Sequence, residues 1–199
     1  MSAHTSMTTS ALRGRALGVL VGSAGFGTLW AAMGLSAWRG ILTFPGVIVT
    51  VAVLVALLAA AIQIMRMARR HGLPNPQAPK RRRFVGRFLL ILVGEVVAMN
   101  ILGQWLFPQH AAYLIPVVAT IVGLHFFPLA SLFRVPQVRI TATVMTLAGI
   151  AGIAALTAGV NAAACHALVD AACALTLWVS GFFTWYTVAR SLPPGAVSA

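Results

Sequence analysis

Acidic residues are nearly missing from this chain: Asp and Glu together number two in 199 residues. Charged residues of both signs make up only 8%, against about 25% in soluble proteins. A globule of this size could not clothe its surface in charge, which excludes a water-soluble fold. Lysine occurs once, at Lys80, and there is no GxxxxGK[ST] loop. ATP-driven work by this chain alone therefore lacks its phosphate cradle. Cysteine occurs twice, at Cys165 and Cys173. Eight helical steps separate them by about 12 Å, too far for a disulfide within one helix.

What is present is hydrocarbon. Hydrophobic residues make up 60% of the chain, and the mean hydropathy is +0.93. Apolar stretches of about 20 residues, enough to cross a hydrocarbon core of about 30 Å, recur six times. They lie near Ala16 to Trp38, Phe44 to Met65, Phe88 to Phe107, Ala112 to Phe133, Arg139 to Val160 and Ala164 to Ala189. The expected fold is all-α, a single six-helix membrane domain over 1–199 with flexible tails at 1–12 and 191–199. Arg13 and Arg15 precede the first run as they would in a signal peptide. That run exceeds the usual 7–15 residues of a cleaved segment and reads as a retained helix.

The net charge of +12 gains its meaning from where the bases fall. Alternating the connections between two sides places thirteen of the fourteen bases together and leaves Arg39 alone on the other. Short basic loops resist translocation, so both termini are expected in the cytoplasm. The one sizeable polar segment is residues 66–87, "RMARRHGLPNPQAPKRRRFVGR". Its Arg66, Arg69, Arg70, Lys80, Arg81, Arg82, Arg83 and Arg87 flank a Pro-rich centre. They read as a topogenic signal and as a contact for anionic lipid, with no role for nucleic acid.

Both acids lie inside spans, although a charge in hydrocarbon costs at least about 2.5–3.5 kcal/mol. Glu95 lies about 10 Å from the cytoplasmic end of the third span, and His125 lies about 12 Å from the same end of the fourth. The short "PQHA" connection makes these spans a hairpin, so Glu95 and His125 are expected to pair. Asn100 and Thr120 match in depth as a second polar rung. In the sixth span His166, Asp170 and Cys173 follow i, i+4, i+7 spacing and share a stripe near the outer side. Pro116 and Pro128 are expected to loosen or kink the fourth span. Each polar residue also has a plainer reading: a buried carboxyl or imidazole can serve only to hydrogen-bond a neighbouring helix.

Gly14, Gly18 and Gly22 recur every four residues, as do Ala151, Ala155 and Gly159, marking helix-packing seams within the bundle or between protomers. Trp30, Trp38, Trp105, Trp178 and Trp185, with Tyr113 and Tyr186, fall toward span ends as an aromatic belt would. Three plus three spans would make two inverted halves. Pro45 opens the second span as Pro136 opens the fifth, and Glu95 in the third matches Asp170 in the sixth, the plan of many secondary transporters.

The segments "FGTLW" (Phe26 to Trp30) and "GLHFFPLA" (Gly123 to Ala130) resemble a group of small six-span bacterial membrane proteins. That resemblance implies a bacterial inner-membrane protein and brings no activity with it. The leading functional expectation is a small secondary transporter or permease, with Glu95 binding a proton or cationic solute, His125 tuning it and Asp170 serving an outer step. The alternative is a non-catalytic scaffold or accessory subunit packing through its Gly/Ala seams. An enzyme is less favoured, because no catalytic constellation can be argued from spacing. No metal or cofactor is expected, since the acids and histidines form no ligand cluster.

Overall fold

The computed structural model describes residues 9–37, 43–71, 81–106, 109–133 and 135–191. All regular structure among them is helical: α1 (Thr9–Leu17), a π-helical segment (Gly18–Phe26), α2 (Gly27–Ala37), α3 (Thr43–His71), α4 (Arg81–Leu106), a 3-10 turn (Ala111–Tyr113), α5 (Leu114–Phe133), α6 (Pro136–Thr157) and α7 (Ala162–Arg190). The first three run on without a break, so these elements make six apolar spans, and the chain is a multi-pass membrane protein. Trp38, Arg39, Lys80, Phe107 and Arg134 lie outside the described residues.

The helices begin and end for local reasons. Asn161 caps α7, its side-chain oxygen accepting from Ala163 N at 2.9 Å and Ala164 N at 3.3 Å. At the end of α6, Val160 N bonds Ala155 O and Gly159 N bonds Leu156 O, both at 3.0 Å, with Gly159 at φ 86°. This is a Schellman closure, and a glycine adopts the left-handed backbone it needs without a Cβ penalty. Gly159 therefore ends α6 and is not part of a packing seam. Pro116 sits in the first turn of α5, where a missing N–H costs nothing. It is part of the helix start and cannot act as a mid-span hinge. Pro128 alone lies inside α5.

Both described ends of the polar segment expected as a loop at 66–87 are helical. α3 continues through Arg66, Arg69 and Arg70 to His71, and α4 starts at Arg81 and carries Arg82, Arg83 and Arg87. Arginine is a good helix former, and a helix extends past the apolar span wherever its backbone bonds stay satisfied. Likewise the first span starts at Thr9, and Leu12, expected in a tail, is fully buried.

α7 is the central element, packed on α2, α3, α5, α6 and the π segment. Of its apolar window 44% is buried, against 6% for α4 and 28 to 39% for the other four spans. α4 packs chiefly on α5. The two sequence halves are thus not packed alike, since α7 is the core of the second while α4 hangs at the edge of the first.

Close helix approach is made by glycines other than those expected. A Cβ on Gly123 would lie 2.5 Å from Thr146 N, and one on Gly149 would lie 2.5 Å from Pro116 O and 2.6 Å from Thr120 N. α5 and α6 therefore touch backbone to backbone. Gly27 and Gly34 let side chains of α7 pack against the backbone of α2: added Cβ atoms would meet the Trp178 ring at 2.6 Å and Asp170 Cβ at 2.9 Å. Gly14, Gly18 and Gly22 face open space within the protomer. Ala151 is exposed, while Ala155 packs on the core's edge.

Candidate functional site

Along α4 the less exposed positions are Phe88, Ile91, Glu95, Ala98, Leu102 and the buried Leu106, with Met99 and Gly103 alongside. Spacing of three and four residues makes one narrow stripe down a helix, and this stripe meets α5. Glu95 stands in its middle. Its Oε2 lies 3.3 Å from His125 Nδ1, with 19% of the Glu95 side chain and 11% of the His125 side chain exposed. The expected pair is thus brought together, at the edge of the bundle between two helices. One proton shared between carboxyl and imidazole leaves the pair neutral overall, as an ion pair or as two uncharged groups. Pro128, one turn beyond Leu124, has no N–H to give to the Leu124 carbonyl beside this histidine.

The second rung does not form. Asn100 Nδ2 donates to Val96 O at 2.8 Å and Thr120 Oγ1 donates to Pro116 O at 2.9 Å, each within its own helix. Thr120 faces Gly149 of α6. Asn100 lies well off the α5 stripe, on the exposed side of α4, as does Gln104.

The stripe on α7 divides between different neighbours. His166 Nε2 lies 2.6 Å from Ala112 O and so donates a bond that ties α7 to the start of the fourth span. Asp170, one turn further, is 1% exposed and packs against Gly34 of α2. Cys173 is buried, and Cys165 Sγ donates to Gly152 O at 3.4 Å. Among the described residues, the buried side-chain atoms without a hydrogen-bond partner are Thr28 Oγ1, Asp170 Oδ1 and Trp178 Nε1. All three belong to α2 or α7. Trp30 and Trp178 are core residues at 3% and 8% exposure, a correction to their expected place in an aromatic belt. Trp105 and Tyr186 remain outside, the latter under Arg190 at 4.6 Å.

Sequence reasoning missed the α2–α7 seam. Gly27 and Gly34, seven residues apart and so on one helix face, were its available signal. The π segment also went unforeseen. Its glycines lower the cost of unusual backbone, and its Ser23 is buried at the point where a Cβ on Gly181 would lie 2.6 Å away. Among the described residues no group of three or more His, Cys, Asp or Glu side chains could hold a metal ion. No protein-family model, no curated protein and no solved structure matches the chain.

Proposed function

We propose that the protein is a non-catalytic accessory or scaffold subunit of a bacterial inner membrane, and that it works by lateral contact through α4. In this reading both termini and the basic ends of α3 and α4 face the cytoplasmic leaflet, where Arg66, Arg69, Arg70, Lys80, Arg81, Arg82, Arg83 and Arg87 meet anionic lipid. The observation that carries it is Asn100. A polar side chain at membrane depth ordinarily faces the bundle interior or a cavity, yet Asn100 is exposed on the free side of a helix in whose apolar part only 6% of the residues are buried.

A second copy is the simplest occupant of that side. A two-fold axis along the membrane normal brings equal depths together, and an amide is both donor and acceptor. One N–H of Asn100 is engaged with Val96 O, leaving a second N–H and the oxygen for the symmetry mate. Interhelical bonds of this kind contribute about 0.6–2 kcal/mol in membranes. Val97 is exposed one turn away, so Val97→Cys should form an oxidative dimer in native membranes, with the buried Cys165 and Cys173 silent. Adding Asn100→Leu should reduce the dimer severalfold. No dimer from Val97→Cys, or one indifferent to Asn100→Leu, would remove this reading.

The approach of Glu95 to His125 favours a second reading, a proton-coupled transporter. Glu95→Gln should then abolish proton-coupled flux in proteoliposomes while leaving the Val97→Cys dimer intact.

A further inference from the structure

At the basic end of the bundle, α1 and α3 leave a groove of about 230 Å³ lined by Arg13, Leu17, Met65 and Arg69. Its two charged residues have the same sign and come from different helices. Both acids of the chain are elsewhere, Glu95 on α4 against α5 and Asp170 on α7 against α2. Two guanidinium groups held at one groove repel each other until an anion stands between them. Arginine forks match phosphate oxygens in pairs.

The groove is also layered. Leu17 lies four residues beyond Arg13 along α1, and Met65 lies four residues before Arg69 along α3, one turn or about 6 Å in each case. The helices run in opposite directions, so both apolar side chains lie on the membrane side of both arginines. Leu17 is 57% exposed, a bare apolar surface directly below a cationic rim. A free anion would use the rim only. An amphiphile with a phosphate at its head and hydrocarbon below it would use both levels.

We propose that this groove binds the phosphate headgroup of an anionic phospholipid, with Arg13 and Arg69 on the phosphate and Leu17 and Met65 against the first carbons of its acyl chains. The proposal goes beyond a diffuse basic contact by assigning a discrete site that includes α1. It rests on the basic end facing an anionic leaflet and is independent of any partner at α4.

The test is native mass spectrometry of the full chain in detergent with phosphatidylglycerol, with phosphatidylcholine of identical chains, or with inorganic phosphate. Two engaged bases should give about a thirtyfold preference for phosphatidylglycerol over phosphatidylcholine. The same lipid should raise the unfolding temperature. Arg13→Gln with Arg69→Gln should lose the preference and the shift, while Arg139→Gln, exposed at the same end on α6, should keep both. Equal retention of the two lipids, or undiminished preference in the double variant, would overturn the site. Stabilisation by inorganic phosphate equal to that by phosphatidylglycerol would assign the groove to a free anion and overturn the lipid. Should the double variant fail to fold, the single variants at these exposed positions carry the same comparison. Detergent removes orientation from the experiment, so a terminus found outside the cytoplasm would overturn the leaflet and leave the measured selectivity standing.

Discussion

A hydroxyl in hydrocarbon must find its acceptor close by, and six threonines of this chain do so within their own helices. Thr50, Thr120, Thr143, Thr146, Thr176 and Thr184 each donate to the carbonyl four residues back. Thr120 was thereby lost to any partnership with Asn100, which equal depth alone had implied. Depth is legible in a sequence because residues can be counted from a span's end, whereas the direction a side chain faces depends on the neighbouring helix. The same distinction separates the glycines. Gly149→Ala must drive a Cβ into Pro116 O and Thr120 N, and because those atoms are backbone the cost should be about 1–3 kcal/mol or more. Gly18→Ala meets nothing and should leave the unfolding midpoint in detergent unchanged. At Asp170 the expectation runs the other way. Asp170→Ala keeps the Cβ that packs on Gly34 and deletes a buried carboxyl whose Oδ1 has no partner, so stability should hold or rise. A loss above about 2 kcal/mol would mean that the carboxyl has a bound partner, since that is the cost of stranding one.

Elements differ in how firmly they are tied. α7 is joined to α3 by Trp185 Nε1 donating to Gln63 Oε1 at 2.7 Å, and to α6 by Gln137 Nε2 donating to Thr184 Oγ1 at 3.1 Å. α4 has one stripe on α5, with the Glu95 and His125 pair at its centre. Local opening is cheapest where buried contacts are fewest, so amide exchange over residues 88–106 should be the fastest of the six spans. Glu95→Ala should accelerate it further without changing α7, read by peptide-resolved exchange in detergent. Uniform acceleration across all spans would show that α4 is part of the core after all. The six spans themselves were legible, because hydrophobic length is a strong signal in lipid. The π segment was not: Gly18, Gly22 and Gly25 advertise a flexible backbone, and nothing in their spacing says that the ladder there is shifted by one residue.

At the scale of the whole molecule, alternating the connections along the sequence assigns thirteen bases to one side of the six spans and Arg39 alone to the other, and in the reading proposed above this imbalance should control how the chain inserts. The imbalance is redundant. Replacing Lys80, Arg81, Arg82 and Arg83 by Gln removes the densest cluster and still leaves nine bases against one, among them Arg13 and Arg15 in the first turns of the first span. Orientation should therefore survive the fourfold change. A fluorescent reporter fused after Ala199 should be active, and an alkaline phosphatase at the same place inactive, in both wild type and variant. Inversion of the reporters in the variant alone would mean that one cluster, read as a local signal, decides the topology. Inversion in both would place the Arg13 and Arg69 groove against the outer leaflet. In either event the groove keeps its two arginines over two apolar side chains, because that arrangement depends only on α1 and α3 packing side by side.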